Sequence, residues 1–172
     1  RGGKAAYYVA RLRNLEAGHT YRYRVSSGVK WSEWYEFSLL PSEEKDFSFI
    51  YIGDVQDSLG GITRQFLRKT LAHNPDASFL VCGGDLIEQP NHAYWNEAFQ
   101  SMDSIRQTLP ILTVTGNHDY LKGIIAELER RFSLTHSYYL DSMEGVNQVF
   151  TIRYKDMQLF CLDSNREFVH LY

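Results

Sequence analysis

The 172 residues predict a layered α/β domain preceded by a short β module. Three observations carry that reading. Apolar runs at 47–52, 78–82 and 111–115 are separated by stretches with helical spacing of their apolar residues, the pattern of alternating strand and helix. Each run ends in glycine followed at once by a side chain with a polar oxygen: Gly53-Asp54, Gly83-Gly84-Asp85 and Gly116-Asn117. Before residue 42 the pattern is different, with aromatic and charged residues alternating at period two.

Residues 1–41 read as β throughout. Ala5 to Leu12 is a candidate strand, and Leu15 to Thr20 is a turn around Gly18. Thr20 to Val25 then places Tyr21, Tyr23 and Val25 on one face, with Arg22 and Arg24 on the other. Ser26 to Gly28 turns the chain into a second strand, Trp31 to Phe37. These two strands resemble the closing strands of a fibronectin type III sandwich. The pattern Tyr-x-Tyr-Arg-Val followed by Trp-Ser-x-Trp is also similar to cytokine-receptor modules, where arginines interleave with tryptophans through cation–π contacts. Two strands and part of a third cannot close a sandwich of about seven. Residues 1–41 are therefore expected to be a partial, N-terminally truncated domain, with 42–46 as the linker and 47–172 as a second, C-terminally truncated domain.

Within the second domain, Ile62 to Leu71 predicts a helix burying Ile62, Phe66, Leu67, Thr70 and Leu71, and Asn74-Pro75 ends it. A polar loop through Glu88, Gln89 and Pro90 leads to a second helix over 92–107, burying Trp95, Ala98, Phe99, Met102 and Ile105. Ile124, Ile125 and Leu128 mark a third. Strand-like runs follow at Ser137–Leu140, Val149–Tyr154 and Met157–Leu162. The turn at Lys155-Asp156 joins the last two as a hairpin.

Composition narrows the function. Hydrophobic residues make up 44% and aromatic residues 15%, enough for a packed core. A net charge of −3 with no basic run leaves no nucleic-acid footprint. No apolar stretch reaches the roughly 18 residues that would span a bilayer. The two cysteines, Cys82 and Cys161, lie inside apolar runs and are expected to be buried free thiols. Protein partners are not legible.

The chemistry sits at the strand ends. Asp54, Asp85 and Asn117 offer two carboxylates and an amide, spaced 31 and 32 residues apart. Such a set suits a hard cation better than acid–base work alone, because converging carboxylates repel one another without a cation between them. Gln56, Asp57, Glu88, His92 and Asp119 lie on the ligand side and are candidates to line the cleft, with a solvated loop residue the simpler reading for Asp57 and His92. Asp163 and Asn165 end the last strand in a similar way.

The ordered Gly-Asp, Gly-Asp, Gly-Asn-His-Asp series resembles the calcineurin-like metallophosphoesterases. With the preceding β module it is similar to their purple acid phosphatase branch. The resemblance implies the N-terminal half of an α/β/β/α sandwich and a phosphate ester substrate, hydrolysed by a metal-activated hydroxide between two divalent or trivalent cations (Fe, Zn or Mn). It implies Asp54 on the first metal, Asp85 bridging, Asn117 on the second, and His118 contacting the phosphate or the leaving group. It further implies a secreted or periplasmic protein. Two positions depart from the pattern. Glu88 stands where purple enzymes carry their iron-binding tyrosine, which points away from purple iron and toward a carboxylate-rich, zinc- or manganese-like site. Gln56 stands where other branches carry histidine. None of the six histidines forms the family's later His-x-His motif, so the chain is expected to be a fragment that binds metal weakly by itself. The rival reading is a fibronectin-like binding or adhesion module attached to an inactive α/β domain.

Overall fold

A computed structural model of the chain describes residues 8, 10–43, 46–89, 91–103, 105–120, 142–146 and 149–162. The expectations for Ile124 to Leu140, Asp163 and Asn165 lie outside these residues, as does most of the Ala5–Leu12 run, whose described residues form no strand.

The alternating aromatics of the first segment form an antiparallel pair, β1 (Thr20–Tyr23) and β2 (Tyr35–Ser38), with Tyr21 opposite Phe37 and Tyr23 opposite Tyr35. Both strands are shorter than expected. Val25 is exposed, and Trp31 makes only an isolated bridge to Ser26. On the outer face Arg24 lies between two indoles, 4.3 Å from the Trp31 centroid and 4.6 Å from that of Trp34. Arg22 continues the stack over Trp34 and ion-pairs with Glu36 at 2.9 Å.

Next come β3 (Ser48–Ile52), α1 (Arg64–His73), β4 (Ala77–Cys82), α2 (His92–Ser101), β5 (Ile111–Thr113) and the single turn α3 (Asn117–Tyr120). The three strands form a parallel sheet in the order β3-β4-β5. Then β6 (Ser142–Val146), β7 (Val149–Tyr154) and β8 (Met157–Cys161) form an antiparallel sheet. The β7–β8 hairpin turns at Lys155-Asp156 as expected, whereas β6 was not foreseen: Ser142-Met-Glu-Gly-Val146 lacks the apolar alternation that marks a strand.

Strand β4 explains the layering, because it is central and buried on both faces. Leu80 and Cys82 face one way, and pack with Ile50, Ile52 and Ile111 of the neighbouring strands against Leu67, Trp95 and Ala98 of the helices. Phe79 and Val81 face the other way, and pack with Leu112 against Phe150, Ile152, Tyr154 and Cys161 of the antiparallel sheet. The order helix, parallel sheet, antiparallel sheet is the expected layered α/β sandwich.

Two helices differ from expectation. A π-helical turn at Leu59–Thr63 precedes α1 and takes Ile62 out of it. Leu59 and Leu67 are buried, whereas Ile62 and Phe66 are 75% and 54% exposed. Helix α2 stops at Ser101, although Met102 and Ile105 beyond it remain buried. Its start is fixed by the Asn91 side chain, which accepts from the N–H groups of Ala93 and Tyr94 at 3.0 and 3.1 Å.

Candidate active site

The strand-end loops are bonded to one another through their backbones. Asp54 N–H donates to the Gly84 carbonyl and Val55 N–H to the Asp85 carbonyl, both at 3.1 Å. These bonds carry the sheet pairing past the ends of β3 and β4. Asp54 and Asp85 both adopt left-handed backbone, at φ 57° and 50°, a conformation rare outside glycine and asparagine and concentrated at functional sites.

The loop after β5 joins them. His118 N–H donates to Asp85 Oδ1 at 2.8 Å. Asp119 carries the junction further. Its carboxylate accepts from the N–H groups of Gly116 at 2.8 Å, Asp85 at 3.1 Å and Ile87 at 3.3 Å. Asp119 is fully buried, and burial pushes its carboxyl up to about 7 against the opposing pull of those bonds. The expectation that it lines the cleft is therefore corrected: its carboxylate is occupied in holding two loops together. An acidic residue three positions after the Gly116 N–H, in the first turn of α3, was the sequence signal for that role.

Close approach of the loops explains the glycines. Gly84 has φ +109°, and a Cβ there would lie 2.8 Å from Gly116 N and 2.9 Å from Gly116 Cα. A Cβ on Gly116 would overlap the Asp85 carboxylate and its amide nitrogen.

His118 stands at the centre of the cluster. Its Nδ1 bonds the Glu88 carbonyl at 3.1 Å and lies 3.7 Å from the Glu88 carboxylate. A carbonyl only accepts, so Nδ1 carries the proton and Nε2 is left for another partner. That bond raises the imidazole's pKa, and the nearby carboxylates of Glu88, Asp85 and Asp54 add to the rise. Strand ends 31 residues apart in sequence thus converge on one ring.

Residues 47–170 match the family model of the calcineurin-like phosphoesterases. The chain belongs to that family. The comparisons with curated proteins and with solved structures returned no match. Members of this family generally use divalent metal ions to act on phosphate esters.

Whether this phosphoesterase's own residues suit a cation is tested by what their donor atoms already do. The Asp54 carboxylate, Asp85 Oδ2 and the Asn117 side chain make no hydrogen bond among the described residues. Gln56 Oε1 is buried and also has no partner there. Left unpaired, a buried acceptor costs about 1–3 kcal/mol. Carboxylate and amide oxygens that make no hydrogen bond there are donor types that suit a hard cation. Among the described residues, no three or more His, Cys, Asp or Glu side chains form a metal-holding group. Asp57 is exposed, and its carbonyl rather than its side chain is engaged, accepting from Thr63 Oγ1 at 2.8 Å. His92 is the exposed first residue of α2.

A cavity of about 670 Å³ lies elsewhere, at the amino end of β4 between the β1–β2 pair and the helices. Phe37, Leu40, Arg68, Leu71, Ser78 and Leu109 are among its lining residues, and none of the strand-end residues is. No helix among the described residues is long and apolar enough to cross a membrane.

Proposed function

We propose that this phosphoesterase hydrolyses phosphate esters at a dinuclear site whose cations would be held by Asp54, Asp85 and Asn117, with Asp85 shared between them. The observation that carries the reading is the set of uncommitted oxygen donors on three joined strand ends, arranged around an oriented imidazole. Bound there, iron, zinc or manganese would supply Lewis acidity and neutralise phosphoryl charge.

The chain's own groups do the remainder. His118, with its Nδ1 proton directed at the Glu88 carbonyl, presents Nε2 to a phosphoryl oxygen or to the departing alkoxide. Its raised pKa favours the charged imidazolium, the form that can donate to that alkoxide. Glu88 acts through His118 and is a positioning residue. Asp119 holds the Asp85 and His118 loops in register, and so fixes the geometry in which these groups meet the substrate. The purple acid phosphatase-like branch and the fibronectin-like first domain belong to the same proposal, and the Arg–Trp stack ahead of the α/β domain supports them.

Asp85→Asn tests the site, since it removes the charge expected to hold two cations together. With Mn²⁺ or Zn²⁺ supplied and nitrophenyl phosphate as substrate, turnover should fall by at least about 10²-fold. Near wild-type turnover would sink the dinuclear assignment. The exposed Trp31 and Trp34 favour a second reading, a binding module joined to an inactive domain. Complete absence of phosphatase turnover in the cation-loaded wild-type protein would support that one.

A further inference from the structure

We propose that the cavity at the amino end of β4 binds a small organic monocarboxylate with an apolar body, independently of the strand-end site. At about 670 Å³ it has the size of a small-molecule pocket, and it lies between packed units, where such pockets concentrate. Asp85 follows the other end of β4, so the strand's six residues, about 20 Å, separate the two sites.

The cavity's walls are pinned. Tyr23 Oη donates to the Gln107 carbonyl at 2.9 Å, which ties β1 to the segment carrying the lining residues Ile105, Thr108 and Leu109. Lys155 Nζ donates to the Pro41 carbonyl at 2.6 Å, beside the lining residues Leu40 and Tyr154. Surfaces held in this way form a site without the cost of ordering it around a ligand.

The lining sets the chemistry. Leu40, Leu71 and Leu109 supply an apolar wall with the rings of Phe37 and Tyr154. Two polar lining residues are uncommitted. Arg68 makes no ion pair or hydrogen bond among the described residues. Ser78 stands in a β-bulge: Ser48 pairs with Ala77 and Ile50 with Leu80, so Ser78 and Phe79 together oppose Phe49. Bulges re-aim side chains beside functional sites. Ser78 Oγ is shut off from solvent and has no hydrogen-bond partner among the described residues, a cost that alanine there would avoid. Its single torsion has three staggered wells, so the hydroxyl can turn to an acceptor seated in the cavity. A guanidinium fork and a hydroxyl donor together suit a carboxylate. Two acidic lining residues limit the ligand's charge. Glu36 is taken up by Arg22 at 2.9 Å, but Asp76 has no ion pair among the described residues. Its charge opposes a second negative charge on the ligand, which favours a carboxylate over a phosphate dianion.

The test follows backbone amide shifts by NMR in the full chain without added metal. Four probes share one apolar body: 3-phenylpropionate, 3-phenylpropanol, 3-phenylpropylamine and 3-phenylpropyl phosphate. The propionate should shift the amides of Leu71, Ser78 and Leu109 and leave those of Asp54, Asp85 and Asn117 in place. It should bind about ten-fold or more tightly than the alcohol or the amine, and more tightly than the phosphate. Arg68→Gln, at an exposed position, should weaken the propionate about ten-fold or more and leave the alcohol unchanged. Ser78→Ala should weaken it about three-fold or more without lowering the ligand-free Tm. Equal affinity for propionate and alcohol, or wild-type binding by Arg68→Gln, would overturn the assignment of the carboxylate. So would tighter binding of the phosphate, or shifts confined to the strand ends, which would mean that the anion is read at the candidate active site. No saturable shift from any probe at about 10 mM would overturn the site itself.

Discussion

At the scale of single residues, Gly116 is where backbone geometry and chemistry meet. The space its side chain would fill is taken by the Asp85 carboxylate and amide, so a methyl group there has nowhere to go. The neighbouring atoms are backbone, or a carboxylate already bonded to His118 N–H, and they cannot swing aside as a surface side chain would. Gly116→Ala should destabilise the fold by about 1–3 kcal/mol, the usual cost of forced overpacking, and should reduce turnover further by displacing Asp85. Urea unfolding measures the first effect and nitrophenyl phosphate hydrolysis the second. The polar residues after each glycine were legible in the sequence, since a carboxylate or amide at a strand end advertises itself. The reason for the glycines was not. It arises from contact between loops 32 residues apart, to which no local pattern points. Asp119 illustrates the same limit: its type and place suggested the cleft, and only the fold shows three N–H groups aimed at it.

At the scale of elements, strands were read better than helix faces. Alternation in β1 and continuous burial in β4 are period-two signals that survive tertiary packing. Of the face expected for α1, Leu67, Thr70 and Leu71 turn inward, whereas Phe66, one step round the helix from Leu67, is exposed, and Ile62 lies in the π turn ahead of the helix. β6 was missed for want of an apolar pattern. The Arg–Trp stack was legible because it needs only alternation on two adjacent strands. Its energetics are uneven. Arg24 contacts two indole faces, whereas Arg22 contacts one at 5.7 Å and is also held by Glu36. Both arginines are exposed, so each cation–π contact is worth about 0.5–1 kcal/mol. Arg24→Ala should therefore destabilise the β1–β2 pair more than Arg22→Ala does, and should shift tryptophan fluorescence on losing the cation between the rings. Equal effects from the two variants would show that the stack is ornamental to the pair's stability.

At the scale of the whole molecule, each of the two hydrophobic cores formed by the described residues holds one cysteine. Cys82 lies in the core between the parallel sheet and the helices, and Cys161 in the core between the two sheets. Both are free and buried, as their apolar surroundings in the sequence implied. Burial raises the Cys82 thiol to about 12 and the Cys161 thiol to about 11. Because the folded values lie above those of the open chain, near 8.5, this contribution to stability is fully present below that pH. It is lost as pH climbs toward 11 and 12, where the unfolded chain gains by ionising first. At pH 8 both thiols should thus resist alkylation in the native state and react only on opening. The two cores share the strands of one sheet, since Phe79 and Val81 point into one and Leu80 and Cys82 into the other. An opening that exposes Cys82 must disturb β4, and with it the packing of Phe150 and Ile152. Iodoacetamide labelling across a urea series, with each peptide read by mass spectrometry, should therefore show both cysteines becoming reactive at one midpoint. Separate midpoints would mean that the antiparallel sheet opens as a unit of its own, leaving the strand-end cluster standing on the parallel sheet and helices alone.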